Sequence, residues 1–144
     1  MWPQVEKVRP LGIIVLTVLT VILGVFALMA GAFMFLAASF ISTHGHMPMP
    51  MAVSTTLVMA MGVFYVVMAC IYFVTAYGYW TGRGWAWILG LALAVLGIVL
   101  GVLSFPVGIL DIVVNAVIIY FLTRPKVREY LGRAPPTPPP TPVL

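Results

Sequence analysis

His44, His46, Met47, Met49 and Met51 fall within eight consecutive positions. Imidazole nitrogens and thioether sulfurs together form a donor set that suits Cu(I) or Cu(II), because thioethers are soft ligands. In an extended segment alternate side chains point the same way, so several of these groups can converge on one ion. The competing reading is a plain connection. It is the favoured one, since methionine is frequent along the chain, as at Met29, Met59 and Met68, and two histidines in a loop are unremarkable.

A second polar set lies further on. Gly108, Asp111 and Asn115 follow at spacings of three and four, which puts them on one face of a helix. An ionisable group within an apolar span is costly and by default points to function. Asp111 also lies close behind Pro106, where it can meet headgroups and complement the positive end of a helix. Structural and functional readings of Asp111 therefore stand level. Asn115 is deeper, and tying helices together by hydrogen bonds is its expected role.

Other chemistries fit poorly. No histidine lies within an apolar run, which argues against an intramembrane bis-histidine haem. There is no glycine-rich phosphate loop followed by lysine, and Ser39, Ser42, Ser54 and Ser104 have no evident base partner. Charge is too scarce for a typical ion-coupled pump. Cys70, the only cysteine, cannot form an internal disulfide.

The elements that must position these residues follow from where charge is absent. From Leu11 to Gly82 there is no Lys, Arg, Asp or Glu, and between Gly84 and Thr123 there is only Asp111. A water-soluble chain of 144 residues needs a charged surface, so the solvent here is lipid over most of the length. The first apolar run is about twice a signal-peptide core of roughly 7–15 residues, and is read as a retained span.

The expected architecture is an all-α, antiparallel four-transmembrane-helix bundle. Residues 1–10 form a cytoplasmic segment, 11–123 the membrane domain, and 124–144 a basic and proline-rich cytoplasmic tail. The spans are expected at about 11–41, 51–80, 85–103 and 106–123. The stretch from Trp85 to Thr123 holds either one kinked helix or two spans joined at Ser104-Phe105-Pro106. Charge decides between them. Four spans put Lys7, Arg9, Arg83, Arg124, Lys126, Arg128 and Arg133 on one side, and the positive-inside rule makes that side cytoplasmic. Tyr77, Tyr79, Trp80, Trp85, Trp87, Tyr120 and Phe121 cluster near the same face, as an aromatic belt would. The cations thus read as topology signals and headgroup contacts, with no nucleic-acid partner.

Apolar periodicity carries little information where nearly every residue is apolar, so small residues mark the seams. Gly90, Ala94, Gly97, Gly101 and Ser104 form one continuous helix face, with a GxxxG pair inside it. Thr17, Gly24, Gly31 and Ala38 recur every seven residues, as do Thr55, Gly62, Ala69 and Ala76. The Gly90–Ser104 stripe serves packing within the chain or docking to another. After Thr123, a short interfacial helix is expected to turn Val127, Tyr130 and Leu131 toward lipid. The proline-rich end reads as an extended tail.

Several phrases resemble a family of small, largely archaeal, uncharacterised membrane proteins. They are Arg9-Pro10-Leu11-Gly12-Ile13, the run Tyr77-Gly78-Tyr79-Trp80-Thr81-Gly82-Arg83-Gly84-Trp85-Ala86-Trp87, and Asn115 followed by the run Ile118 to Tyr130. The resemblance omits the His/Met loop and the proline-rich tail. It implies a four-span protein with cytoplasmic ends, and it supplies no catalytic role.

The expectation is a non-enzymatic, multi-pass protein of the cell membrane, serving as an accessory, assembly or scaffolding subunit of a larger membrane complex or of a homo-oligomer. It carries no resident cofactor. One alternative is an extracytoplasmic copper-binding or delivery protein using the His/Met loop. Another is a small transporter or lipid- or quinone-binding bundle using Asp111 and Asn115.

Overall fold

The computed structural model describes residues 9–44, 54–132 and 141–142. Five helices follow in order: α1 (Leu11–Thr43), α2 (Thr55–Trp80), α3 (Gly84–Leu103), α4 (Ile109–Leu122) and α5 (Pro125–Tyr130). There is no strand among the described residues. An apolar solvent offers no partner to backbone N–H and C=O groups, so a helix that satisfies them internally is the local solution. Hydroxyls obey the same constraint. Thr17 Oγ1 donates to the Ile13 carbonyl at 2.8 Å, Ser39 Oγ to Phe35 at 2.9 Å and Thr43 Oγ1 to Ser39 at 2.8 Å, each within its own helix.

α1, α2 and α3 are long and apolar enough to cross a membrane, by length and composition. At 1.5 Å per residue α1 is about 50 Å long and α2 about 39 Å, against a hydrocarbon core of about 30 Å. α4, with 14 residues, is shorter. It starts three residues later than a helix opening on Pro106 would. The intervening turn is held by bonds from Gly108 N–H to the Ser104 carbonyl (3.1 Å) and from Ile109 N–H to the Pro106 carbonyl (3.3 Å). Phe105 and Val107, at the tip of that turn, are exposed and apolar.

Helix ends are built from local signals. Ser54 Oγ accepts from the Leu57 N–H at 3.2 Å and caps α2. At the other end Gly82 has φ of 69°, while the Arg83 N–H reaches back to the Gly78 carbonyl (2.9 Å) and the Gly82 N–H to Tyr79 (3.1 Å). This is a Schellman closure, and its left-handed position favours glycine. Pro125 opens α5, where its missing N–H costs nothing.

The chain divides into two compact units, one of Met1–Leu19 with Thr75–Leu144 and the other of Thr20–Val74. In the Thr20–Val74 unit, α1 and α2 run antiparallel along a seam of small residues. A Cβ placed on Gly31 would come 2.9 Å from Val66 Cγ2 and 3.1 Å from the Gly62 carbonyl oxygen. Gly24 packs under the Phe73 ring, where a Cβ would meet carbon at 3.1 Å. Ala38 and Ala69 are fully buried on the two stripes. Phe26, Phe33, Leu36, Phe40 and Leu57 point outward, as residues do whose solvent is lipid.

In the other unit α3 and α4 pack closely and antiparallel. A Cβ on Gly101 would sit 2.7 Å from Ile112 Cγ1 and 2.9 Å from the Gly108 carbonyl oxygen. The unit's core holds Ile13, Leu16, Tyr79, Ala86, Leu122, Val127 and Leu131. Here the structure corrects one expectation. Val127, Tyr130 and Leu131 do not face lipid; they are buried. α5 turns its apolar side inward, with Val127 against Gly12 and the Tyr130 ring against Gly82. The residues beneath α5 offer its apolar side a surface, and burying large apolar groups away from water is favourable.

The α1–α2 seam generates an expectation. Gly31→Leu overpacks it and lowers stability by about 1–3 kcal/mol. Ala32→Leu, at the neighbouring exposed position, stays within about 0.5 kcal/mol of the parent. Unfolding titrations in detergent measure both; equal values for the two variants would reject close glycine packing.

Candidate functional site

The polar side chains inside the larger unit are the natural place to look for chemistry. Asn115 is 1 % exposed and lies over Gly97, where a Cβ would collide with the amide and stand 2.7 Å from its Cγ. Its Nδ2 donates to the Asp111 carbonyl at 2.8 Å, one turn back on the same helix. The expected bond between helices is therefore not made by this donor. Asn115 Oδ1 is buried and has no hydrogen-bond partner among the described residues. The amide instead seats α4 against α3 by contact, and α3 meets it with a glycine.

Asp111 is exposed, in the first turn of α4, although Gly108 and Asn115 on either side of it are buried. At 3.6 residues per turn Asp111 stands at the edge of this row, roughly 40° around α4 from Asn115, and there it faces outward. The carboxylate lies near the N-terminal end of α4, where the helix dipole favours negative charge.

The Gly90–Ser104 stripe is occupied by the chain's own side chains. Gly90, Ala94, Gly97 and Gly101 are buried; Ser104 caps α3 and is exposed. Gly97 and Gly101 meet α4, whereas Gly90 meets Tyr79 of α2. Tyr79 departs from the expected aromatic belt. It is fully buried, and its Oη stands where a Gly90 Cβ would be. That hydroxyl has no hydrogen-bond partner among the described residues. Sequence reasoning missed this residue because Tyr79 sits among exposed aromatics, Tyr77, Trp80 and Trp85. Its signal was Gly90 itself: a large ring near a tight helical turn needs a missing side chain opposite.

The remaining aromatics gather polar contacts at the same end of this unit. Tyr77, Trp80, Trp85 and Tyr120 are exposed. Trp87 Nε1 donates to the Leu122 carbonyl at 3.0 Å, closing a C-terminal carbonyl of α4. Tyr130 Oη donates to the Trp80 carbonyl at 3.3 Å, which does the same for α2. The Arg9 guanidinium lies 4.0 Å above the Trp80 ring and that of Arg124 lies 4.8 Å from the Tyr120 ring, with a bond from Arg124 to Tyr120 Oη.

In the Thr20–Val74 unit, His44 follows the last turn of α1. Its ring stacks on Phe40 with centroids 4.4 Å apart, and Nδ1 lies 3.3 Å from the Phe40 carbonyl. His46, Met47, Met49 and Met51 lie outside the described residues. No group of three or more His, Cys, Asp or Glu side chains that could hold a metal occurs among the described residues. Comparison of the chain with protein-family models, with characterised proteins and with solved structures gave no match.

Two outcomes follow from the packing. Gly97→Ala costs about 1–3 kcal/mol because the new methyl meets the Asn115 amide. Asn115→Ala recovers most of that loss, so the double-mutant cycle shows coupling of at least about 0.5 kcal/mol. Additive effects would place the strain elsewhere. Tyr79→Phe removes an unpartnered buried hydroxyl and is expected to leave stability unchanged or raise it by up to about 1 kcal/mol. A loss above that size in a thermal-unfolding series would mean that the hydroxyl is bonded.

Proposed function

We propose that the chain crosses the cell membrane four times with both termini in the cytoplasm, and acts without enzymatic activity as an accessory, assembly or scaffolding subunit. Its partners are other membrane subunits or copies of itself. One observation carries the reading: the start of α1, the α2–α3 turn, the end of α4 and α5 all touch within one unit. Gly12 meets Val127 and Phe121, Arg9 covers Trp80, and Gly82 meets the Tyr130 ring. An even number of antiparallel passes brings both chain ends and the middle turn to one end. Arg9, Arg83, Arg124, Lys126 and Arg128 come with them, which supports a cytoplasmic assignment of that end. α4 and the turn before it, from Ser104 to Leu122, come to about 28 Å at helical rise, near the thickness of the hydrocarbon core.

The structural role is supported by how side chains are used. The glycine faces of α1, α2, α3 and α4 are filled from within each unit, and Tyr79 and Asn115 are locked into that packing. Phe26, Met29, Phe33 and Leu36 on α1 leave a bulky outward face available to lipid or to neighbouring helices.

Cysteine accessibility tests the path. In a Cys70→Ala background, Arg83→Cys and Thr141→Cys are expected to resist a membrane-impermeant maleimide in intact cells and to react in inverted vesicles. Ser42→Cys is expected to do the reverse. Labelling of Arg83→Cys and Thr141→Cys from opposite sides would reject four passes. Mild extraction should then give a particle larger than one chain, and a strictly monomeric particle without a partner would remove the subunit role.

A further inference from the structure

The end of the larger unit closed by α5 has a property beyond marking orientation. Arg9, Arg83, Arg124, Lys126 and Arg128 are all exposed there, and Glu129 is the one carboxylate among the described residues of that end. Three observations make this more than a scatter of surface cations. First, α5 is fixed from beneath. Val127 and Leu131 are each 1 % exposed, Tyr130 is 9 % exposed, and Tyr130 Oη is bonded to the Trp80 carbonyl. Lys126 and Arg128 therefore stand on a seated helix rather than a free tail. Second, two guanidiniums rest on exposed rings, Arg9 on Trp80 and Arg124 on Tyr120. Stacking orients the plane of a guanidinium while leaving N–H groups on its edge to donate. Third, Trp80 and Tyr120 are exposed rings of the kind that favours headgroup depth, and the proposed topology puts the cations they hold near lipid phosphates.

We propose that this end is a binding face for the headgroup phosphates of anionic phospholipid. The proposal rests on the reading that the α5 end lies at a membrane surface. Arg9 and Arg124 supply oriented donors, while Lys126 and Arg128 supply charge from a rigid platform. Phosphates bound at this end offset the repulsion among its like charges. Phospholipid is favoured over a soluble anion because Arg9 and Arg124 lie on exposed aromatic rings and Lys126 and Arg128 stand on the seated helix.

The full chain, purified in mild detergent and returned to nanodiscs holding a minority of phosphatidylglycerol in phosphatidylcholine, is released into a native mass spectrometer and its retained lipids are counted. Phosphatidylglycerol is expected to be enriched over its bulk share by roughly fivefold or more. Replacing Arg9, Arg124, Lys126 and Arg128 by Gln should bring retention to the bulk share. Lys126→Arg with Arg128→Lys should keep most of the enrichment, Arg9→Lys with Arg124→Lys should lower it because the ring-held guanidiniums are lost, and Asp111→Asn should leave it unchanged. Equal unfolding temperatures for the Gln variant and the parent separate loss of binding from loss of fold. Retention at the bulk share in the parent, or undiminished enrichment in the Gln variant, overturns the proposal. Displacement of the lipid by millimolar inorganic phosphate also overturns it, in favour of a soluble anion. Alkaline extraction of membranes tests the underlying reading separately: a chain that leaves the membrane fails as a spanning protein, whatever its lipid retention.

Discussion

In a hydrocarbon solvent, apolar side chains gain little by leaving lipid for one another, so helices hold together only where their backbones come close. The whole molecule rests on that constraint. In the Thr20–Val74 unit the approach is made at Gly31 and Gly62, where each glycine faces the other's carbonyl oxygen. In the larger unit it is made at Gly101 and Gly108, whose backbones touch, and at Gly97, where Asn115 takes the place of a side chain. Many bulky residues, Phe26, Phe33 and Leu36 among them, are left on the outside of these seams.

Polar groups are handled by the same economy of partners. Serine and threonine hydroxyls return to carbonyls of their own helix, and the α3–α4 turn bonds its own N–H groups. Asn115 gives one bond back along α4 and keeps an unpartnered oxygen against α3. Tyr79 is buried for the volume of its ring, and its hydroxyl is carried along without a partner. These two atoms are costs that the close packing carries, and they leave the polar interior engaged in structure.

The end of the larger unit works by different physics. There large apolar side chains pack inward, and Val127, Tyr130 and Leu131 are buried under α5. Exposed rings at that end hold guanidiniums, and indole and phenol groups close free helix carbonyls. Charge, aromatic surface and a seated helix are combined in one place, whereas the apolar length of the chain displays only Asp111 outward as a charge.

The near absence of charge between Leu11 and Thr123, interrupted only at Arg83 and Asp111, determined from sequence alone that the fold is helical and that its long helices suit a bilayer. Spacing of small residues likewise marked the faces on which Gly24, Gly31, Ala38, Gly62 and Ala69 are buried, because a seam in lipid has few chemical solutions. Other features could not be read this way. Tyr79 looked like its neighbours Tyr77 and Trp80 because residue type does not encode which way a ring turns; only Gly90 opposite it decided that. Asp111 and Asn115 shared a predicted face, yet the close approach at Gly97 buried one and left the other outside. The inward turn of α5 needed Gly12 and Gly82 to be placed beneath it, at distances along the chain that no local pattern spans. Local chemistry therefore determined the helices and their seams, and tertiary structure decided which polar and aromatic groups the seams enclosed, since that depends on what stands opposite.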